Sequence, residues 1–356
     1  MKNFKINKTT FTKNSKVYFI ADIAANHDGK LERAKKLIYQ AAEAGANAAK
    51  FQNFKAETIV SDFGYKNLDK KKLSHQSKWK KSVFQVYKEA ALPLAWTDTL
   101  KKTCEKAGID YFTAPYDLEM IDYLNKFVCA WKVGSGDVTW HENVLKMAKT
   151  KKPIIIATGA SNFFEVKKLL NAVLKINKKV VLMQCNTNYT ADSKNLHYIN
   201  LNVLKKFKES FPSLFLGLSD HTFGHETVLG AVALGAKFVE KHFTDDNSRE
   251  GPDHKFSMNP KTWKEMIVAS RNLENSMGDG IKKIEKNEKE SVIVQRRSIR
   301  ASRNLKKGTI IKKKDLVFLR PCPKNSLDPY MLNQIIGKRT KKNITFHEVL
   351  NLKNIG

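Results

Sequence analysis

The sequence predicts a (β/α)8 barrel of the α/β class followed by a small, mostly β module. Three observations carry that prediction. Eight short apolar runs recur over about the first 280 residues, and each is followed by a stretch with helical periodicity. The runs are apolar on both faces, as parallel strands covered by helices must be. Beyond Gly278 the style changes to short strand-like pieces separated by basic turns.

Composition sets the bounds. A chain of 356 residues allows one large domain and a small one, and 42% hydrophobic content can bury a substantial core. No run approaches the roughly 18 apolar residues that span a bilayer. Met1–Lys16 is polar and basic and lacks an apolar signal core, so a cytoplasmic location is expected, with no membrane partner. The four cysteines (Cys104, Cys129, Cys185, Cys322) form no CxxC pair and read as reduced core thiols. The net charge of +29 admits nucleic acid, a membrane surface or an anionic substrate. The lysines are spread along the whole chain, with no arginine-rich tail and no nucleic-acid motif. A general lysine bias accounts for them, and no nucleic-acid partner is expected.

Lys2–Lys16 reads as a short polar hairpin, a plug under the barrel. Strand Val17–Ala24 ends at Asn26-His27-Asp28-Gly29, and helix Leu31–Ala44 is closed by Gly45. Strand Ala46–Phe51 ends in Lys50-Phe51-Gln52. Asn53–Lys81 is long, lysine-rich and irregular, the profile of a lid or substrate loop. Helices follow at Ser82–Ala91 and Leu94–Ala107. The alternation is then regular: strand Asp110–Thr113 and helix Leu118–Phe127; strand Ala130–Val133, ending in Gly134-Ser135-Gly136-Asp137, and helix Glu142–Lys149. Strand Pro153–Ala157 with Thr158-Gly159 precedes helix Phe164–Ile176. Strand Val180–Gln184, with Cys185 to Tyr189 at its end, precedes helix Asn200–Ser210. Strand Leu214–Leu218 leads into Ser219-Asp220-His221, then helix His225–Ala236, strand Phe238–Glu240 and helix Pro260–Met277. The expected domains are a barrel over 1–280, a linker over 281–294 that overlaps the polar stretch Gly278–Ser291, and a module over 295–356. In that module Ser298–Ala301, Ile310–Ile311, Asp315–Arg320 and Asn343–Leu350 read as strand-like. Alone it is near the lower size limit for an independent core.

Side chains at the carboxyl ends of barrel strands share one mouth. Those positions are Asp22, Asn26, Lys50, Gln52, Thr113, Lys132, Ser135, Asp137, Thr158, Thr187, Tyr189, Ser219, His221, Glu240 and His242. His221 and His242 end neighbouring strands and form a candidate metal pair. The competing reading is two unrelated histidines that hydrogen-bond locally. Lys50 and Lys132 end apolar strands, where an unpaired ammonium is costly, so they call for an anion. That anion is either a substrate or a carboxylate of the chain, Asp22 or Glu240. Hydroxyls at Ser135, Thr158, Thr187 and Ser219 suit phosphate oxygens. Asp22, Asp137 and Glu240 could serve as acid, base or metal ligand.

Asn26-His27-Asp28-Gly29, Lys50-Phe51-Gln52, Lys132 to Gly136, Ala157-Thr158-Gly159, Gly217 to Thr222 and Glu240 to Asp245 resemble the sialic acid (nonulosonate) synthase family, NeuB-like enzymes built on a TIM barrel. The tail, with Arg297-Ser298, Lys307-Gly308 and Leu319-Arg320-Pro321, resembles their antifreeze-like (SAF) domain. The resemblance implies condensation of phosphoenolpyruvate with an acetamido sugar and release of phosphate by C–O cleavage. It implies that His221 and His242 bind a divalent metal, Mn2+ first, with Mg2+ or Co2+ as alternatives. Lys50, Lys132, Ser135 and Ser219 would hold phosphoenolpyruvate, and Gln52, Tyr189 and Asp253 would contact the sugar or metal-bound groups. Glu240 would manage the attacking water. Arg320 would reach the sugar from a partner subunit in a domain-swapped homodimer. The chain departs from the family at Asp22 and Asp137, where glutamate is usual, and at Ala114 and Ala157, where hydroxyl residues are common. It also lacks the usual proline after Tyr189. These departures leave open which acceptor is used: N-acetylmannosamine, a legionaminate- or pseudaminate-type precursor, or another sugar. Two other readings stand beside this one, a metal-dependent barrel hydrolase and a basic binding protein on a degenerate barrel.

Overall fold

Hydrogen bonding closes eight parallel strands into a barrel in the computed structural model, which describes residues 3–68, 76, 79–189 and 192–356. The strands are β3 (Tyr18–Asp22), β4 (Ala48–Asn53), β5 (Asp110–Pro115), β6 (Trp131–Val133), β7 (Ile154–Ala157), β8 (Val180–Cys185), β9 (Phe215–Asp220) and β10 (Ala236–His242), and β10 pairs with β3 to close the ring. Helices cover the outside: α1 (Leu31–Glu43), α5 (Thr97–Ala107), α6 (Leu118–Leu124), α7 (His141–Lys149), α8 (Phe163–Ile176), α9 (Val203–Ser210), α10 (Glu226–Ala233) and α11 (Pro260–Ser276), while α4 (Val83–Ala90) belongs to the long connection between β4 and α5. Local chemistry sets several starts. Asn162 caps α8 in a reciprocal capping box with Glu165, and Asn259 caps α11 ahead of Pro260.

The period-two alternation of each strand divides its side chains between two cores. Phe19, Ala21, Ile154, Ile156, Val180 and Leu182 pack against the helices. Tyr18, Ile20, Ala48, Phe112, Ile155, Val181, Phe215 and Phe238 fill the barrel. The amino-terminal hairpin, β1 (Phe4–Ile6) and β2 (Thr9–Phe11), joins the second set. It is polar on its outer face only. Phe4, Ile6 and Phe11 insert, and Phe11 lies 4.6 Å from the Phe238 ring centroid. Asn7 and Tyr18 both donate to Asp110 at the same end, at 2.8 and 2.5 Å.

Three expectations change. The stretch 53–81 is not irregular throughout: it contains α2 (Ala56–Ile59) and α3 (Asp62–Asn67), the latter capped by Ser61, while 69–75 and 77–78 lie outside the described residues. The expected linker 281–294 is partly helical, because Glu288 and Glu290 favour a helix start for α12 (Lys289–Gln295). Ile310–Ile311 and Asn343–Leu350 make only isolated bridges, Ile310 to Arg339, Leu305 to Ile344 and Arg300 to Val349.

The chain separates into two units, 1–278 and 279–356. In the second, β11 (Ser298–Ala301) pairs antiparallel with β12 (Leu316–Leu319), and Ile299, Leu305, Ile311, Ile335, Ile344 and Leu350 form its core. No described helix is long and apolar enough to cross a membrane.

Candidate active site

The residues that follow the barrel-filling positions along each strand meet at the carboxyl end. Ala48 leads to Lys50 and Gln52, Ala130 to Lys132, and Phe238 to Glu240 and His242. There the two lysines and two carboxylates form one buried cluster. Lys50 Nζ lies 2.5 Å from Asp22 Oδ2 and 3.6 Å from Glu240 Oε1, and Lys132 Nζ lies 3.4 Å from Glu240 Oε1. Lys132 also donates to the Val133 carbonyl at 2.9 Å, and Ser219 donates to Glu240 at 3.1 Å. All four charged side chains are at most 5% exposed. The chain thus supplies the anions its strand-end lysines call for. That answers one alternative raised by the sequence, and it leaves a compensated, preorganised floor.

Burial and neighbours pull these groups in different directions. Burial works against the Lys50 ammonium, but Asp22 and Glu240 outweigh it and hold its pKa above the ordinary lysine value. Burial pushes Lys132 down, and Glu240 offsets this only partly. Burial pushes the Asp22 carboxyl up further than Lys50 pulls it down. For Glu240 burial acts upward, yet Lys132 and Lys50 win and hold it at about 2.

His221 and His242 stand beside this floor with ring centroids 5.3 Å apart. Burial pulls them down to about 3 and about 4, so both are neutral imidazoles. His221 Nδ1 meets the Asn186 carbonyl at 2.8 Å, which leaves Nε2 available. His242 Nδ1 is buried without a hydrogen-bond partner among the described residues, and its Nε2 lies 3.4 Å from Asp22 Oδ2. The described residues contain no ready-made cluster of three or more His, Cys, Asp or Glu ligands. Two adjacent neutral imidazoles, one with an unsatisfied ring nitrogen, nonetheless fit a divalent ion whose other ligands are oxygens.

Above the floor is a cavity of about 460 Å3. Gln52, Ser135, Asp137, Thr187, Tyr189, His242 and Asp253 line it, so the structure brings together most of the predicted substrate residues. Tyr189 packs on His221 at 4.3 Å and Gln52 donates to Asp22 at 3.2 Å. Asp253 Oδ2 accepts from the Ala25 amide at 3.1 Å, which ties the loop after β10 to the loop after β3. Asp137, at the end of a 3-10 turn over Ser135–Asp137, is pushed up to about 6 by burial. A Cβ on Gly159 would lie 2.5 Å from the Thr187 methyl and 3.1 Å from Ser135 Oγ, so a side chain there would displace Thr187.

Thr158 and Thr113 correct the sequence reading. Thr158 shares the parity of Ile154 and Ile156, so it points away from the floor and donates to the Met183 carbonyl at 2.8 Å. Thr113 donates to the Phe51 carbonyl and to Asn53 in the same way. Neither hydroxyl proton is free for a phosphate. Arg320 belongs to the second unit, where it is exposed and makes no hydrogen bond or ion pair among the described residues. The sequence reading missed the apolar side of the cavity, formed by Phe54, Ile59, Trp79, Tyr87, Tyr116 and Pro252. It also missed the buried pair Asp220–Lys241. The only signal for that pair was its placement between mouth residues on two apolar strands.

Comparison with known proteins fits this geometry. The NeuB family model matches residues 37–282, and the SAF domain model matches 296–355. The chain is 36% identical over 342 residues to an N,N'-diacetyllegionaminic acid synthase of Campylobacter jejuni, covering 94% of this chain and 99% of that protein. It is 33% identical to a pseudaminic acid synthase of the same organism, covering 96% and 97%. The crystal structure of the Bacillus subtilis spore coat polysaccharide biosynthesis protein spsE matches with a TM-score of 0.65 at 27% identity, covering 100% of this chain and 99% of that one. The chain belongs to the NeuB family of nonulosonate synthases, phosphoenolpyruvate-dependent enzymes that form a carbon–carbon bond, and carries a C-terminal SAF domain.

Proposed function

We propose that this mouth seats phosphoenolpyruvate on the Lys50–Lys132 floor and joins it to an unphosphorylated acetamido-sugar aldehyde held in the cavity above. The observation that carries the reading is the buried four-charge floor. It offers two ammonium groups at fixed positions with little reorganisation at the moment of reaction. Lys50 and Lys132 take the phosphate and carboxylate of phosphoenolpyruvate, with Ser135 and Ser219 as hydroxyl donors. Thr187 borders the same corner. C3 of phosphoenolpyruvate forms a bond to the aldehyde carbon, and the aldehyde oxygen takes up a proton. Water adds at C2, the C2–O bond to phosphate breaks, and inorganic phosphate leaves a 2-oxo acid behind. Glu240 stays charged at neutral pH and orients that water. Asp22 shares its position between Lys50 and Gln52. Asp137, pushed up to about 6 by burial, is placed to exchange a proton with a sugar hydroxyl.

His221 and His242 would hold a divalent ion, Mn2+ first and Mg2+ or Co2+ otherwise, and such an ion polarises the aldehyde carbonyl when bound. Gln52, Tyr189 and Asp253 orient the sugar. The aromatic side of the cavity favours acetamido methyls and deoxy positions over a phosphate, which supports an acceptor of the legionaminate- or pseudaminate-precursor type. A homodimer with exchanged tails would bring Arg320 of one subunit over the partner's sugar. The four unpaired cysteines and the use of phosphoenolpyruvate suit the cytoplasm.

The test is release of inorganic phosphate from phosphoenolpyruvate, with and without Mn2+, over a panel of acetamido hexoses that includes N-acetylmannosamine, its 6-phosphate and a diacetamido-trideoxyhexose. Activity should appear with at least one unphosphorylated acceptor and vanish in His221→Ala and His242→Ala. Full activity of either variant in chelator refutes the metal role. Absence of any phosphate release across the panel refutes the proposed reaction for these acceptors.

A further inference from the structure

Three successive positions of β9 and β10 alternate in what they face. Ser219 and Glu240 are register partners on the barrel side, where their side chains hydrogen-bond. Asp220 and Lys241 are the next partners, and Asp220 meets Thr227 of α10 on the helix side of the strands. His221 and His242 follow and face the mouth. The middle pair is the more deeply buried, with side chains 1% and 2% exposed. Lys241 Nζ donates to Asp220 Oδ2 at 2.5 Å, to the Thr222 carbonyl at 2.7 Å and to the Gly224 carbonyl at 3.1 Å. Asp220 also accepts from the hydroxyls of Thr222 at 2.9 Å and Thr227 at 2.8 Å. All three ammonium protons therefore have an acceptor.

A buried ion pair is weak evidence for net stability, since apolar side chains of similar volume serve as well or better. What this pair adds is connection. It joins the strand that carries His242 to the turn that follows His221 and to the first turn of α10. It touches no part of the cavity, so it can act on the site only through position.

We propose that Asp220 and Lys241 are positioning residues that set the separation of His221 and His242 from the outer face of the barrel. The inference rests on the reading of those histidines as a metal site. Groups behind metal ligands typically change metal affinity by about 10–100-fold when removed. Here the link runs through the backbone of both strands, which places the expected loss near the lower end.

The experiment uses the full-length protein stripped of metal. Mn2+ affinity is measured by calorimetry, and melting temperature is recorded alongside, for wild type, His221→Ala, Asp220→Asn, Lys241→Met, the double variant Asp220→Asn/Lys241→Met, and Thr227→Val. Wild type should bind and His221→Ala should not. Each single variant of the pair should lose both melting temperature and affinity. The double variant leaves no uncompensated charge, so it should recover melting temperature while its Mn2+ affinity stays about tenfold weak. Phosphoenolpyruvate affinity without metal should be unchanged in the double variant. Thr227→Val removes one hydrogen bond to Asp220 and should weaken Mn2+ by a smaller factor, which decides the matter if the charge variants do not fold. Wild-type Mn2+ affinity in the double variant, or in Thr227→Val if that is the only folded one, overturns the proposal. If wild type binds no Mn2+, the metal reading falls and the positioning role falls with it.

Discussion

Changing Lys132 to Met removes one ammonium from the floor while keeping most of its apolar stem. Taking one partner from a buried ion pair usually costs about 3–5 kcal/mol, because the other charge is stranded. Glu240 would not be wholly stranded: it keeps Lys50 at 3.6 Å and the Ser219 hydroxyl at 3.1 Å. The loss of folding stability should therefore sit near the lower end, about 3 kcal/mol. Loss of a charge-assisted hydrogen bond to the substrate adds about 1.5–3 kcal/mol against phosphoenolpyruvate binding, roughly 10- to 150-fold in affinity. The double variant Lys132→Met/Glu240→Gln separates the two effects. It should regain most of the stability, since no charge is left uncompensated, but not the phosphoenolpyruvate affinity. Urea unfolding gives the first quantity and calorimetric titration the second. Wild-type phosphoenolpyruvate affinity in the folded single variant would show that Lys132 serves only to balance Glu240.

Other outcomes follow from the same geometry. Asp137 is raised from 3.8 to about 6 in the fold, so its contribution to stability is complete below about 4 and is lost as pH rises through 6. Asp137→Asn should flatten unfolding free energy between those limits, and an unchanged pH profile would place the carboxyl in water. Gly159→Ala pushes a methyl against Thr187 and Ser135, so phosphoenolpyruvate affinity should fall well before melting temperature does; a variant with normal affinity would show that this corner is not used. For the proposed exchanged-tail dimer, Lys132→Met and Arg320→Ala, each expected to be inactive alone, are co-expressed. Activity returns in mixed dimers if the tail acts in trans, and verified mixed dimers as inactive as their parents refute it.

The floor was legible in the sequence because a lysine at the end of an apolar strand has few explanations, and because strand parity is strict. Ala48 to Lys50 and Phe238 to Glu240 can be counted off directly. Thr158 sits among mouth residues in the sequence, but it has the parity of Ile154 and Ile156 and its hydroxyl donates to the Met183 carbonyl. The apolar wall was not legible, because Phe54, Tyr87 and Tyr116 come from separate segments that share no period. Asp220 and Lys241 were hidden for the opposite reason. They lie inside the most informative motifs, and the histidines beside them drew the whole reading. In the second unit, isolated bridges between basic turns have the same composition as short strands, so the sequence does not tell the two apart.

The amino-terminal hairpin has a consequence for traffic. With Phe4, Ile6 and Phe11 packed under Phe215 and Phe238, the barrel is a vessel stoppered at its base. Tyr18, Phe112, Val181 and the other interior side chains fill the space above them, so the barrel has no passage through its middle. If phosphoenolpyruvate sits against the lysines at the other end, it and the sugar share one doorway, and the sugar, seated above it, would have to arrive second.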